Sequence, residues 1–180
     1  RSLAAVVVVP YRNTAPDIGG IPGAVRYPDL LRDSAELAFT QIGFQEPVYI
    51  LYSSGTTGVP KCIVHSAGGT LLQHRKEHVL HTDIAAGDVV FYFTTTGWMM
   101  WHWLVSALAT GATLVLYDGA PLHPDPGVLW RLAEHERINV FGTSAKYLSA
   151  LEKSGYRPRE RHALPALRSI LSTGSPLAPS

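Results

Sequence analysis

Cysteine, net charge and long apolar runs are all scarce in this sequence, and each shortage excludes a class of protein. The single cysteine, Cys62, cannot close an internal disulfide, so a disulfide-stapled secreted scaffold is excluded and a cytoplasmic location is expected. Fifteen basic residues against fourteen acidic ones leave a net charge of +1, which gives no electrostatic signature of nucleic-acid or anionic-membrane partners. No apolar run approaches the ~20 residues that span a bilayer.

The remaining composition is that of a folded, apolar-rich domain. Hydrophobic residues make up 46% of the chain and charged residues 16%, which argues against a disordered segment. A chain of 180 residues can bury roughly 70% of its unfolded surface in one ordinary domain. The chain starts at Arg1 close to a strand pattern and stops at Ser180 just after another, so we expect both ends to lie within a longer protein.

Strand and helix signals alternate along most of the chain. Residues 6–9 form a continuous β-branched run, which is typical of a parallel strand buried on both faces. Residues 13–28 are rich in glycine and proline and predict a loop, and residues 33–39 predict a short helix. Further strands are predicted at residues 48–52, 62–65, 89–93, 113–117, 138–141 and 167–172. Helices are predicted from the cap Ser66 to Val79, at residues 99–109 and 128–136, and from the cap Ser144 to Gly155.

This alternation predicts the fold class. Strands that alternate with helices form a mostly parallel sheet with helices on both of its faces, joined by right-handed crossovers. The chain is therefore expected to be an α/β protein. In such folds ligands bind at the carboxyl ends of the strands.

A loop rich in serine, threonine and glycine joins the strands predicted at residues 48–52 and 62–65. Its glycines tolerate positive φ, so successive backbone N–H groups can face one anion. Hydroxyl groups surround them, and a lysine adds a mobile cation for terminal phosphates. For an arbitrary cluster of these residue types a flexible turn is the plainer interpretation. The loop predicts a site for nucleotide phosphates formed by Ser53, Ser54, Gly55, Thr56, Thr57, Gly58 and Lys61.

This loop differs from a Walker A loop, because Gly58 is separated from Lys61 and Cys62 stands where that motif has serine or threonine. The string YILYSSGTTGVPK at residues 49–61 instead resembles the signature of the adenylate-forming enzymes. That superfamily contains acyl-CoA synthetases, luciferases and the adenylation domains of peptide synthetases. The strings PKCIVHSAGGT, GWMMW and STGSPL, at residues 60–70, 97–101 and 172–177, resemble the acetoacetyl-CoA synthetases in particular.

The resemblance implies a reaction and its reactants. The carboxylate of acetoacetate attacks the α-phosphate of ATP, pyrophosphate leaves, and the thiol of coenzyme A captures the acyl-adenylate. ATP with Mg²⁺ and coenzyme A as co-substrate are therefore expected. The chain corresponds to part of the N-terminal AMP-binding domain. The adenine motif, the magnesium-linked glutamate and the C-terminal domain with its catalytic lysine are expected beyond Ser180, so this chain alone is expected to be inactive.

The resemblance also assigns subsites. The acid pocket is expected to be lined by Trp98, Met99, Met100 and Thr173. The adenylate is expected beside Gly174, Ser175 and Pro176, where Ser175 replaces a glutamate that relatives often carry. Ser144 matches a position near the path of coenzyme A, and an ordinary helix N-cap explains it equally well. Residues 94–98 offer no carboxylate for a substrate ammonium, so an amino acid substrate is disfavoured.

Other interpretations remain open at the level of sequence. The string HRKEH at residues 74–78 fits the inverted zinc-peptidase motif H-x-x-E-H, although its charged residues are typical of an ordinary exposed face, and no metal site is predicted. A non-catalytic nucleotide-binding module would use the phosphate loop without chemistry. An acyl-CoA synthetase for acetate or propionate would keep the reaction and change the acid. The aromatic and methionine residues at 98–103 could also be simple core.

Overall fold

The computed structural model describes residues 3–32, 34, 36–53 and 58–177. The chain divides into two compact units, Arg1–Gln41 and Ile42–Ser180, and each unit is described separately. In the described residues no helix is both long enough and apolar enough to cross a membrane.

The first unit contains two short strands. Strand β1 (Val6–Val8) pairs in parallel with β2 (Ala24–Arg26), and a 3-10 helix follows at Tyr27–Leu30. The strand predicted at residues 6–9 is thus confirmed. The prediction that it is buried on both faces is wrong, because β2 is its only partner strand in the described residues and Val7 is 46% exposed.

Two further predictions for this unit are wrong. The loop predicted at residues 13–28 contains β2, which the chain enters after Gly23 turns it with a φ of 71°. The helix predicted at residues 33–39 is not formed in its described part, residues 34 and 36–39; residues 33 and 35 lie outside the described residues. Leu37 and Phe39 are exposed, so no buried apolar face stabilises a short helix there.

The second unit begins with a β-hairpin around the predicted phosphate loop. Strands β3 (Pro47–Ser53) and β4 (Lys61–Ser66) pair antiparallel, which confirms both predicted strands. Side chains alternate along β3, so Tyr49 and Leu51 are half-buried whereas Ile50 and Tyr52 are exposed. The hairpin therefore has one face directed to the protein interior.

A four-stranded parallel sheet forms the centre of this unit. Its spatial order is β6 (Thr113–Val115), β5 (Val89–Tyr92), β7 (Val140–Ser144) and β8 (Ser169–Thr173). Every neighbouring pair in this sheet is parallel. The strands predicted at residues 89–93, 113–117, 138–141 and 167–172 are confirmed, with ends that shift by at most three residues.

Helices connect these strands as predicted. They are α1 (Ala67–Lys76), which continues as a π-helical turn at Glu77–His81, α2 (Met99–Ser106), which continues as a 3-10 helix at Ala107–Thr110, α3 (Val128–His135) and α4 (Ala145–Lys153). The hydroxyl of Ser66 accepts from the Gly69 amide at 3.3 Å, as a helix cap does. Gly111, with a φ of 83°, ends the 3-10 helix. A short helix α5 (Pro158–Arg161) is not predicted by the sequence pattern.

Alternate residues of the parallel sheet enter two buried clusters. Phe91 and Phe141 pack against α3 and α4 on one face. Val90 and Val140 pack against α2 on the other face, where Trp103 is also buried. Both faces of the sheet are therefore covered by helices, and the predicted α/β fold is confirmed.

An ion pair joins the start of β5 to the start of β8. The Arg168 guanidinium donates to both carboxylate oxygens of Asp88 at 3.1 and 2.8 Å and to the Asp83 carbonyl at 2.6 Å. The Asp88 carboxylate also accepts from the Ala85 amide at 2.8 Å. The hydrogen bonds from Arg168, supported by the bond from Ala85, hold the pKa of Asp88 below its ordinary value.

We expect Arg168→Gln to lower the free energy of unfolding by about 1–2 kcal/mol near neutral pH, since its charge-assisted hydrogen bonds are weakened by partial exposure. Because the folded-state pKa of Asp88 is depressed, this stabilisation is present above about pH 4 and is lost as the pH falls further. Urea unfolding near pH 7 and near pH 3 should show a difference between variant and parent that shrinks in acid. Arg159→Gln, at an exposed arginine, is the control. A loss of unfolding free energy in Arg168→Gln that is equal at both pH values would contradict a role for the Asp88 charge.

Candidate active site

A cavity of about 740 Å³ opens between the hairpin, α1, α2 and the carboxyl end of β8. Parallel strands end at this edge of the sheet, which is where α/β folds bind ligands. Residues from the hairpin, α1 with its π-helical turn, β5, α2 and β8 meet here. Those that matter for the chemistry are Tyr49, His65, His74, Glu77, Tyr92, Met99, Met100, His102 and Thr173.

The hairpin tip holds the two ends of the predicted phosphate loop. Ser53 and Lys61 are cross-strand partners, so the loop leaves and re-enters the hairpin at one point. Gly58 has a φ of 149°, a conformation that favours glycine and fits the predicted turn. Lys61 makes no ion pair with any described residue. The remaining loop residues, Ser54, Gly55, Thr56 and Thr57, lie outside the described residues.

An aromatic stack joins the hairpin to α2. The rings of Tyr49 and His102 have centroids 3.8 Å apart and an interplanar angle of 30°. Both residues line the cavity. Burial, and then repulsion by His65, lowers the pKa of His102, so the imidazole is neutral near pH 7 and can stack as an uncharged ring.

Helix α2 presents only part of the predicted acid pocket to the cavity. Met99 and Met100, at the start of the helix, line it. Trp98 is the N-cap of the helix, is 67% exposed and does not line the cavity. Trp103 is buried against the sheet, so it is an ordinary core residue, as the sequence allowed for residues 98–103.

Tyr92 of β5 contacts Thr173 at the end of β8. Its ring crosses Gly142 of β7, where an added Cβ atom would come within 2.0 Å of the ring. Its hydroxyl lies 3.2 Å from the Thr143 carbonyl and 3.0 Å from the Thr173 hydroxyl. The carbonyl can only accept, so the Tyr92 hydroxyl is assigned as its donor, and the Thr173 hydroxyl is assigned as the donor to the Tyr92 oxygen. Burial raises the pKa of Tyr92, which keeps the phenol neutral.

The residues predicted to contact the adenylate follow β8 directly. Gly174 has a φ of 93° and turns the chain away from the strand. Ser175 and Pro176 are exposed and do not line the cavity in the described residues. Ser144 accepts a hydrogen bond from the Tyr147 amide at 3.2 Å and so caps α4. Its cap role is structural, and its predicted place near coenzyme A stays a prediction.

The two histidines of the H-x-x-E-H string take part in a hydrogen-bond network between α1 and α2. The Ser106 hydroxyl donates to the Trp103 carbonyl at 2.9 Å and lies 2.7 Å from Nδ1 of His74. The single hydroxyl proton of Ser106 is used in the bond to Trp103, so Nδ1 of His74 is assigned as the donor to the Ser106 oxygen. Nε2 of His78 donates to the same carbonyl at 2.9 Å. Each histidine therefore has one partner in this network, and Nδ1 of His78 is buried without a partner in the described residues.

Electrostatics also keep these histidines uncharged. Burial, followed by repulsion from His78, His102 and His65, lowers the pKa of His74. Burial also lowers the pKa of the fully buried His78. In the described residues no group of three histidine, cysteine, aspartate or glutamate side chains could hold a metal ion.

Sequence reasoning missed several residues of this cavity. His102 and Tyr92 lie outside the quoted motifs, and Tyr49 begins the signature string but was not predicted to belong to the site. An available signal was position: Tyr49 lies on the same hairpin face as Ser53, and His102 lies three residues after Met99, on the same side of α2.

Comparison with known proteins places the chain in a family. A family model described as "AMP-binding enzyme" matches residues 23–180. Acetoacetyl-CoA synthetase from Gallus gallus is 54% identical over 183 residues, which are 97% of this chain and 27% of that protein. Malonamoyl-CoA synthetase from Penicillium aethiopicum is 49% identical over 162 residues, which are 82% of this chain and 22% of that protein.

A solved structure agrees with these matches. The acetoacetyl-CoA synthetase from Streptomyces lividans superposes with a TM-score of 0.85 at 45% identity, over 97% of this chain and 26% of that one. The chain spans about a quarter of the length of the relatives it matches. The described fold is that of an α/β domain. The chain belongs to the AMP-binding enzyme family, and the similarity to acetoacetyl-CoA synthetases is confirmed.

Proposed function

We propose that the complete protein activates acetoacetate with ATP and transfers the acyl group to coenzyme A, releasing AMP and pyrophosphate. The observation that carries this proposal is the high identity to acetoacetyl-CoA synthetases over almost the whole chain. The protein would then be an acid–thiol ligase. An adenylate route needs a phosphate anchor and an acid pocket on one side of the domain, and the hairpin and α2 supply candidates for both.

The hairpin loop would hold the tail of ATP. Ser53, Lys61 and the loop between them would anchor the β and γ phosphates, and Lys61 would offset the charge that grows on pyrophosphate as its bond breaks. The main barrier is the approach of two anions, the acid and the α-phosphate. Positioning and charge neutralisation are therefore the expected contributions of the protein, and the attack needs no general base.

The acid would bind against the start of α2 and the end of β8. Met99 and Met100 can shape an irregular small pocket, because methionine is unbranched and flexible. Thr173, held by Tyr92, would offer a fixed polar atom beside them. Trp98 is proposed as a further wall of this pocket. The adenylate would lie along Gly174, Ser175 and Pro176.

The co-substrates and cellular setting belong to the same proposal. Mg²⁺ would arrive as its complex with ATP. Coenzyme A would pass near Ser144. We expect the protein to act in the cytoplasm, where it would supply acetoacetyl-CoA to lipid metabolism and to the use of ketone bodies.

A second acid is favoured by one observation. The relative from Penicillium aethiopicum is named a malonamoyl-CoA synthetase, and malonamate differs from acetoacetate by an amide nitrogen in place of a methyl group. Both acids carry a carbonyl group at the same distance from the carboxylate. Discrimination between methyl and amide would therefore lie at the far wall of the pocket, close to Met99 and Met100.

A substrate panel on the complete protein tests the proposal. We expect acid-dependent exchange of pyrophosphate into ATP, with kcat/KM for acetoacetate at least about tenfold above acetate and propionate, since the loss of one hydrogen bond of about 1.4 kcal/mol lowers the rate tenfold. A preference for malonamate would change the substrate and keep the reaction. ATP binding without exchange for any acid would support a nucleotide-binding module and contradict the proposal.

A further inference from the structure

The hairpin that carries the phosphate loop is a separate two-stranded sheet. In the described residues β3 and β4 pair only with each other, and neither joins the parallel sheet. A lone two-stranded hairpin is only marginally stable in water. Its orientation must therefore be set by contacts with neighbouring helices.

Backbone hydrogen bonds hold the hairpin at its base. The Ala67 amide donates to the Glu46 carbonyl at 2.7 Å, and the Gly68 amide donates to the Phe44 carbonyl at 3.0 Å. These bonds attach the chain before β3 to the first turn of α1. Strand β3 then extends for about 20 Å to its tip. Helix α1 also packs against β3 and β4, so these contacts set the hairpin relative to α1, and its position relative to α2 depends on a further contact.

The Tyr49–His102 stack supplies a second attachment. Tyr49 lies on the half-buried face of β3, and its ring meets His102 of α2 at a centroid distance of 3.8 Å. Strand alternation places Ser53, the last residue of β3 before the loop, on the same face as Tyr49. Helix periodicity places Met99, in the proposed acid pocket, on the same side of α2 as His102. One ring contact thus connects the element of each subsite.

We propose that His102 is a positioning residue, which through its stack on Tyr49 sets the orientation of the phosphate hairpin relative to the acid-pocket helix. The inference rests on the proposed function, because it assumes that the hairpin binds the ATP phosphates. His102 would act on ATP through Tyr49 and not by direct contact. A flat ring at this position is required, and its charge is not.

The proposal predicts a specific pattern in the complete protein. His102→Ala should weaken ATP affinity about threefold to tenfold, which is the value of an aromatic pair beyond its buried area. His102→Phe, which keeps a flat ring, should stay within about twofold of the parent. Tyr49→Ala should resemble His102→Ala, and the double variant should be no worse than either single variant, because both remove the same contact.

Calorimetric titration with ATP, without acid, measures these affinities directly. Tyr117→Ala serves as a control, because it removes a half-buried aromatic ring that pairs with Phe93 away from this cavity. It should leave ATP affinity unchanged. A merely structural role for His102 would lower the melting temperature of the variants and leave the affinity of the folded protein the same.

The outcomes separate the two proposals. Unchanged ATP affinity in His102→Ala, equal losses in His102→Phe and His102→Ala, or additive losses in the double variant would overturn the positioning role. If the parent binds ATP but activates no acid of the panel, the proposed function fails while the comparison of variants still decides the role of His102. If the parent binds no ATP, both proposals fail.

Discussion

Replacing Lys61 by methionine is expected to lower kcat/KM for ATP about 100- to 1000-fold in acid-dependent pyrophosphate exchange. Lys61 stands at the hairpin tip opposite Ser53 and forms no ion pair with a described residue, so its charge is available to a bound anion. Loss of one group that stabilises developing charge in an enzyme commonly has an effect of this size. Methionine keeps most of the side-chain length and apolar volume and removes the charge together with its N–H donors.

The matched control for this prediction is Lys153→Met. Lys153 is an exposed lysine at the end of α4, and its loss makes the same change in net charge away from the hairpin. Its kcat/KM should stay within about twofold of the parent, since isolated surface charges contribute little. Equal effects of the two substitutions would mean that net charge, and not a contact with phosphate, governs the rate.

Gly142→Ala is expected to lower the free energy of unfolding by about 3 kcal/mol and to raise KM for the acid. The added methyl group would come within 2.0 Å of the Tyr92 ring, in the middle of the parallel sheet, where buried atoms have little room to move. A displaced Tyr92 would lose its hydrogen bonds to Thr143 and Thr173. Urea unfolding and steady-state kinetics on the same preparations measure both effects.

Two companion variants sharpen this test. Gly20→Ala adds the same methyl group where nothing lies within 4 Å, and it should change stability by less than about 0.5 kcal/mol. Combining Gly142→Ala with Tyr92→Ala removes the clashing ring, so the double variant should be more stable than the sum of the two single losses predicts. Strict additivity would show that the Tyr92 ring is not the atom group that excludes a side chain at this position.

Most of the second unit could be predicted from sequence because each of its elements carries its own signal. The apolar run at residues 89–93 is long enough to define β5, and Ser66 and Ser144 cap α1 and α4 as their positions suggested. The first unit gave weaker signals. Strand β2 has only three residues, and it lies in a segment whose glycines and prolines predict a loop.

The composition of the cavity could be predicted only in part. Met99, Met100 and Thr173 were predicted as site residues from motifs, and they line one cavity. Tyr49 and His102 were not predicted as site residues, because their contact depends on how the hairpin lies against α2 and no local sequence pattern encodes that packing. Trp98 lies in a recognisable motif and is exposed as the N-cap of α2 in this chain, so its place in the acid pocket stays a prediction.

The path of one oxygen atom tests adenylate formation most directly. Acetoacetate labelled with ¹⁸O in its carboxylate should be incubated with ATP, coenzyme A and the complete protein, and the products analysed by mass spectrometry. Attack of the carboxylate on the α-phosphate predicts that AMP gains one labelled oxygen and that pyrophosphate gains none. Unlabelled AMP, or label in inorganic phosphate with ADP as the other product, would contradict an adenylate intermediate.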